Sequence, residues 1–149
     1  MAIIEKRLQE LGIQLIQQEG KNPLILSCKQ SGNLVFLSGH GLDFIKGKLG
    51  RELTTEHGAK VARDVMITML SVLKTFLGDL DRVKSIVKLL GMVNSMPDFV
   101  EQPAVINGAS QLLVEAFGKE RGLHARSAVG MGSLPGGIPV EIEMIVEVE

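Results

Sequence analysis

From residue 140 to the C-terminus the chain alternates. Val140, Ile142, Met144, Val146 and Val148 are apolar, and Glu141, Glu143, Ile145, Glu147 and Glu149 stand between them. Successive residues of a strand point to opposite faces, so the pattern predicts a strand with one buried and one wet side. Elsewhere the period is helical. Ile3, Ile4, Leu8 and Leu11 predict a short amphipathic helix over residues 2–12, ended by Gly12. Ala59, Ala62, Val65, Met66, Met69, Leu70, Leu73 and Phe76 form a broad stripe on a long second helix. Thr54 or Thr55 is its candidate N-cap, and Gly78 with Asp79 closes it. A third helix is predicted within residues 96–122, with Pro103 near its first turn and Gly118 or Gly122 at its end.

Between the helices lie short apolar runs. "IQLIQQ" (13–18) reads as a first strand and "EGKNP" (19–23) as a turn. "LILSCKQ" (24–30) and "LVFLSGHG" (34–41) flank "SGN", which predicts a hairpin. Residues 42–54 are irregular and Gly-punctuated, and "VKSIVKLLGMVN" (83–94) reads as a strand. A strand from Arg126 and the final strand are joined by "SLPGG". Helices separated by strands, with hairpins at both ends, predict an α+β fold: a largely antiparallel sheet with helices on one face. With no repeat or low-complexity linker, residues 1–149 read as a single domain.

Composition narrows the function. The net charge is −1, and there are five Phe but no Trp or Tyr. A chain so neutral and so poor in stacking side chains does not point to nucleic acid. No stretch approaches the ~20 apolar residues that span a bilayer. Cys28 is the sole cysteine, so no intramolecular disulfide forms, and the cytoplasm is the expected compartment. His40, His57 and His124 lack metal-ligand spacing, so solvated or capping roles are expected and no metal site is predicted. "GMGSLPGG" leads into a strand rather than a helix N-terminus, so it lacks the logic of a phosphate loop.

Two charged residues near the C-terminus stand out. Arg126 is the last cation of the chain, and Glu141 begins the final strand beside a Gly-rich loop. If 127–132 and 140–148 form a hairpin around Gly136, Arg126 pairs near residue 146. It then lies about five residues, or roughly 16 Å, from Glu141. A cleft between subunits is the simplest way to bring the two together.

"GNLVFLSGHG", "GDLDRVKSIVKLLGMVN", "VINGASQLLVEAFG", and "ARSAV" followed by "LPGGIPVEIE" occur in an order that resembles the reactive intermediate deaminase family. That family is also called YjgF-like and is often labelled endoribonuclease L-PSP. The resemblance covers roughly residues 22–149, and residues 1–20 look like a helical extension found in a longer branch. It implies a chorismate-mutase-like α+β fold and a homotrimer with clefts between adjacent subunits. It also implies hydrolysis of 2-imino acids to 2-keto acids and ammonia without metal or cofactor. Carried over by position, Arg126 is implied to grip the substrate carboxylate and Glu141 to position or activate water. Ser38 and Gly39 are implied to line the pocket, with Asn107 in support; His40, next to them in sequence, is a further candidate. The chain departs from the family in three ways. Ala128 stands where many members have Cys, Ile25 or a neighbour where many have Tyr, and the Asn107–Arg126 stretch is about two residues longer. A non-catalytic trimer that binds small carboxylates or partner proteins is the alternative. The ribonuclease suggested by the label is disfavoured by charge and composition.

Overall fold

The computed structural model describes residues 3–18 and 20–149. Residue 2 of the first predicted helix and Glu19 of the turn after it lie outside the described residues. The elements are α1 (Ile3–Glu10), β1 (Cys28–Ser31), β2 (Leu34–His40), α2 (Thr55–Leu77), β3 (Val83–Asn94), α3 (Gln102–Gly122), β4 (Ala125–Met131) and β5 (Val140–Val148). The strands form one sheet in the order β1-β2-β5-β3-β4. All neighbours are antiparallel except β3 and β4.

The helices start and stop where local chemistry allows. Thr54 caps α2 by accepting the His57 N–H through its side chain, and Gly78 ends the helix at φ 83. Pro103 sits in the first turn of α3, where a missing N–H costs nothing. Gly118 (φ 77) breaks that helix before its last turn. α1 is short and borrows its cap: the Asp81 carboxylate accepts the Ile3 and Ile4 N–H groups, each at 2.9 Å. Its buried side chains, Ile4 and Leu8, stand one turn apart and join the main core.

The core fills the space between one face of the sheet and α2 with α3. Val35, Leu37, Ile86, Leu89, Val93, Val140, Ile142, Met144 and Val146 are the sheet's contribution, all buried. α2 and α3 approach so closely that a Cβ on Gly108 would overlap the Ala59 carbonyl. Cys28 is part of this core, and burial pushes its thiol up to about 11. The opposite face of the sheet carries no helix. It bears Phe36, Leu90, Glu143 and Ile145, partly or fully exposed.

The α+β class, the hairpin at Gly32–Asn33, strand 83–94 and the buried face of β5 match the reading of the sequence. Two predicted features do not. Residues 13–18 are not a strand: Ile13 is buried, but the Ile16 and Gln18 N–H groups donate to Ser71 and Thr75 hydroxyls on α2. The stretch is extended chain laid on a helix. β4 and β5 are not a hairpin either. β3 lies between them, and β4 runs parallel to β3 at the sheet edge. The 132–139 loop therefore crosses the end of β3. It is held there by Lys48, which donates to Asn94 Oδ1 and the Gly132 carbonyl, each at 2.6 Å.

Candidate functional site

Arg126 stands opposite Leu89 in the parallel β3–β4 register, and Leu89 faces the helices. The arginine therefore points towards α3. Asn107 and Ser110 are three residues apart on that helix and so share a face. Arg126 Nη1 donates to Asn107 Oδ1 at 2.7 Å and to Ser110 Oγ at 3.2 Å. Among the described residues these are its side-chain hydrogen bonds, and both use the hydrogens of one nitrogen. The edge formed by Nε and Nη2 keeps its fork of donors, the geometry that takes a carboxylate bidentately. Arg126 lines an open pocket of ≈ 410 Å³ together with Asn107, Ser110, Gln111, Val114, Leu123 and His124.

Glu141 stands opposite Met92 in the antiparallel β3–β5 register. Its neighbours Val140 and Ile142 face the helices, so Glu141 projects from the open face. The β2–β5 register shifts between Leu37 and His40, and Ser38 and Gly39 occupy this irregularity. The absent side chain of Gly39 leaves room for the Glu141 carboxylate, which lies against the glycine. The Ser38 hydroxyl donates to the Leu26 carbonyl at 2.6 Å and its N–H to the Ser27 carbonyl at 2.9 Å. Because the Ser38 carbonyl can only accept, His40 Nδ1, 2.6 Å away, is the donor. An open-face groove of ≈ 640 Å³ runs from here past Lys29, Phe36, Lys88, Glu143 and Ile145.

The structure thus sets Gly39 against Glu141, with Ser38 and His40 flanking the glycine along the chain, and joins Arg126 to Asn107 in a separate group. Arg126 and Glu141 lie two strands apart, three residues out of step and on opposite faces. Strand geometry separates their Cα atoms by about 14 Å. One chain cannot close them on a small ligand. Ser110 and His124 were not foreseen as part of the arginine group. The signal lay in spacing: Ser110 follows Asn107 by three on a helix, and His124 precedes Arg126 by two, just ahead of β4. Among the described residues no His, Cys, Asp and Glu side chains cluster as a metal site. No helix there is long and apolar enough to cross a membrane.

A small α+β sheet protein with an arginine fork at one edge and a carboxylate on its uncovered face is the class these features define. The chain belongs to the family described as "YjgF/chorismate_mutase-like, putative endoribonuclease", whose model matches residues 8–137. It is 41% identical to Protein TCP17 of Trypanosoma cruzi, over 97% of this chain and 93% of that one. It is similar to the solved structure of Atu1372 from Agrobacterium tumefaciens, a protein of unknown function, at 39% identity and TM-score 0.88. That alignment covers 99% of this chain and 93% of the other. RidA from an Antarctic Psychrobacter shares the fold at 22% identity and TM-score 0.56, over 91% of this chain and 98% of that one.

Proposed function

We propose that the protein is a homotrimer that hydrolyses reactive 2-imino acids to 2-keto acids and ammonia. In each cleft Arg126 and Asn107 of one subunit face Ser38, Gly39 and Glu141 of the next. The observation that carries this reading is the division of labour on Arg126. Asn107 and Ser110 occupy Nη1, and the Nε–Nη2 edge is left for a carboxylate. Family membership supports the same chemistry. The opposite-face placement of Glu141 supports a cleft shared between copies, and the helix-free face of the sheet offers a surface for a second copy to cover.

The chemistry asks little of the protein. An imine carbon is already electrophilic. Glu141 takes a proton from oxygen and passes one to nitrogen twice: once as water adds, and once as the carbinolamine expels ammonia. Such acid–base help is typically worth ~10²–10⁴-fold. Arg126 holds the carboxylate through both steps, and no residue here is assigned to a cofactor or metal. The lone, buried Cys28 fits a cytoplasmic protein.

The test is release of ammonia and keto acid from freshly generated 2-iminobutyrate or 2-iminopropionate. Wild type should exceed the uncatalysed rate, and Arg126→Ala and Glu141→Gln should lose that excess. A wild type no faster than background overturns the enzyme reading. Keto-acid binding that persists in that case would identify a non-catalytic carboxylate binder.

A further inference from the structure

We infer that Ser110 and His124 act as one unit that positions Arg126 and selects which edge of its guanidinium meets the ligand. The inference rests on the reading that Arg126 grips a carboxylate. Gly122 is the last residue of α3, and its carbonyl is among those a helix end leaves without an intrahelical partner. His124 Nδ1 lies 2.7 Å from that oxygen. A carbonyl only accepts, so Nδ1 carries the hydrogen, and in the neutral ring Nε2 has only a lone pair to offer. Nε2 lies 2.9 Å from Ser110 Oγ. The Ser110 hydroxyl hydrogen therefore points at His124, and its oxygen lone pairs are turned towards Arg126 Nη1 at 3.2 Å. The end of α3 thus fixes a ring, the ring fixes a hydroxyl rotor, and the rotor makes Ser110 an acceptor.

The consequence is a choice of edge. Nη1 has two hydrogens, and Asn107 Oδ1 at 2.7 Å takes the other one. With both satisfied, rotation about the Nε–Cζ bond is blocked and the Nε–Nη2 fork is the edge left for the ligand. Without His124 the Ser110 hydroxyl turns freely and can present its hydrogen to Arg126. Asn107 alone then holds the guanidinium, which swings about that single bond. Ser110 and His124 are positioning residues, because they act on the ligand through Arg126.

Three measurements test this on the assembled protein: calorimetric binding of 2-oxobutyrate, steady-state kinetics on 2-iminobutyrate, and NMR of Arg126 guanidinium rotation. Ser110→Ala and His124→Phe should each weaken binding and raise KM by about three- to tenfold, the scale of one hydrogen bond. kcat should change little, since carboxylate binding is shared by ground and transition states. The double variant should be no worse than either single, as expected of one unit. Guanidinium rotation should speed up in both singles. Ser110→Thr, which keeps the hydroxyl, should restore wild-type values, and His124→Gln, which keeps an acceptor, should lie between. A role limited to tying the helix end would lower melting temperature without altering rotation or KM. Wild-type rotation and KM in both His124→Phe and Ser110→Ala overturn the inference. If Arg126→Ala binds 2-oxobutyrate as tightly as wild type, the carboxylate reading falls instead, and rotation rates still decide whether the pair positions Arg126.

Discussion

Replacing Gly39 by alanine should silence the reaction and leave the fold standing. Gly39 is not among the glycines with positive φ, so alanine meets no backbone strain there. Its gain from a less flexible unfolded chain is about 0.4–1 kcal/mol. Against this stands the new methyl. A Cβ built on Gly39 lies 3.0 Å from Glu141 Cδ and 3.2 Å from Cγ, and it overlaps Oε2. These atoms belong to the mobile end of a side chain on the open face, so Glu141 can turn away for about 1 kcal/mol of rotamer strain. The two effects nearly cancel, and the melting temperature should move by no more than about 4 °C. The carboxylate, however, is expelled from its place against residue 39. If it is the proton carrier, kcat should fall by ~10²–10⁴-fold, and Kd for 2-oxobutyrate, set by Arg126, should change far less. The assays are ammonia release, calorimetric titration and thermal unfolding on one preparation. A Gly39→Ala enzyme with wild-type kcat, alongside an inactive Glu141→Gln, would refute the position assigned to the carboxylate.

Other substitutions probe separate parts of the account. Arg126→Lys keeps the charge but loses the fork, so KM should rise at least about tenfold with little change in stability, read from steady-state kinetics and melting. Gly108→Ala forces backbone apart where α2 and α3 touch, and should cost about 1–3 kcal/mol in denaturant unfolding. Burial pushes the Asp81 carboxyl upward, but the Ile4 and Ile3 N–H groups, aided by Arg121 and Arg7, outweigh it and hold the pKa below its ordinary value. A depressed pKa contributes stability above the ordinary value of about 3.9 and loses it as pH falls through the folded value. Hydrogen exchange at Ile3 and Ile4 should therefore accelerate in acid relative to the core, and Asp81→Asn should show faster exchange already at neutral pH.

What was legible in the sequence was what neighbours along the chain decide. Alternation from Val140 to Val148 placed the buried face of β5 correctly, because each residue's side follows from the one before it. Thr54, Gly78 and the Gly32–Asn33 turn act within a few residues, and their roles were readable for the same reason. Residues 13–18 carry strand-like spacing at Ile13 and Leu15. Whether extended chain becomes a strand depends on its partner, here the Ser71 and Thr75 hydroxyls of α2. Pro135, Gly136 and Gly137 make a tight turn in the structure as well. A turn does not name the strand it leads to, and the insertion of β3 between β4 and β5 is a long-range choice. That choice governs the site. The hairpin reading also set Arg126 and Glu141 too far apart to touch, but it missed that they occupy opposite faces. The Ser110–His124 link joins a helix to the turn that leads into β4 and becomes visible only once both are placed.

The central claim is that each working cleft takes Arg126 from one subunit and Glu141 from its neighbour. Co-expression of Arg126→Ala and Glu141→Gln subunits tests it most directly. Random assembly of equal amounts into a cyclic trimer gives about one quarter of clefts an intact arginine and an intact glutamate. The purified mixture should recover about a quarter of wild-type ammonia release, although each variant alone is inactive. Mixed trimers with no activity above that of the separate variants would contradict it.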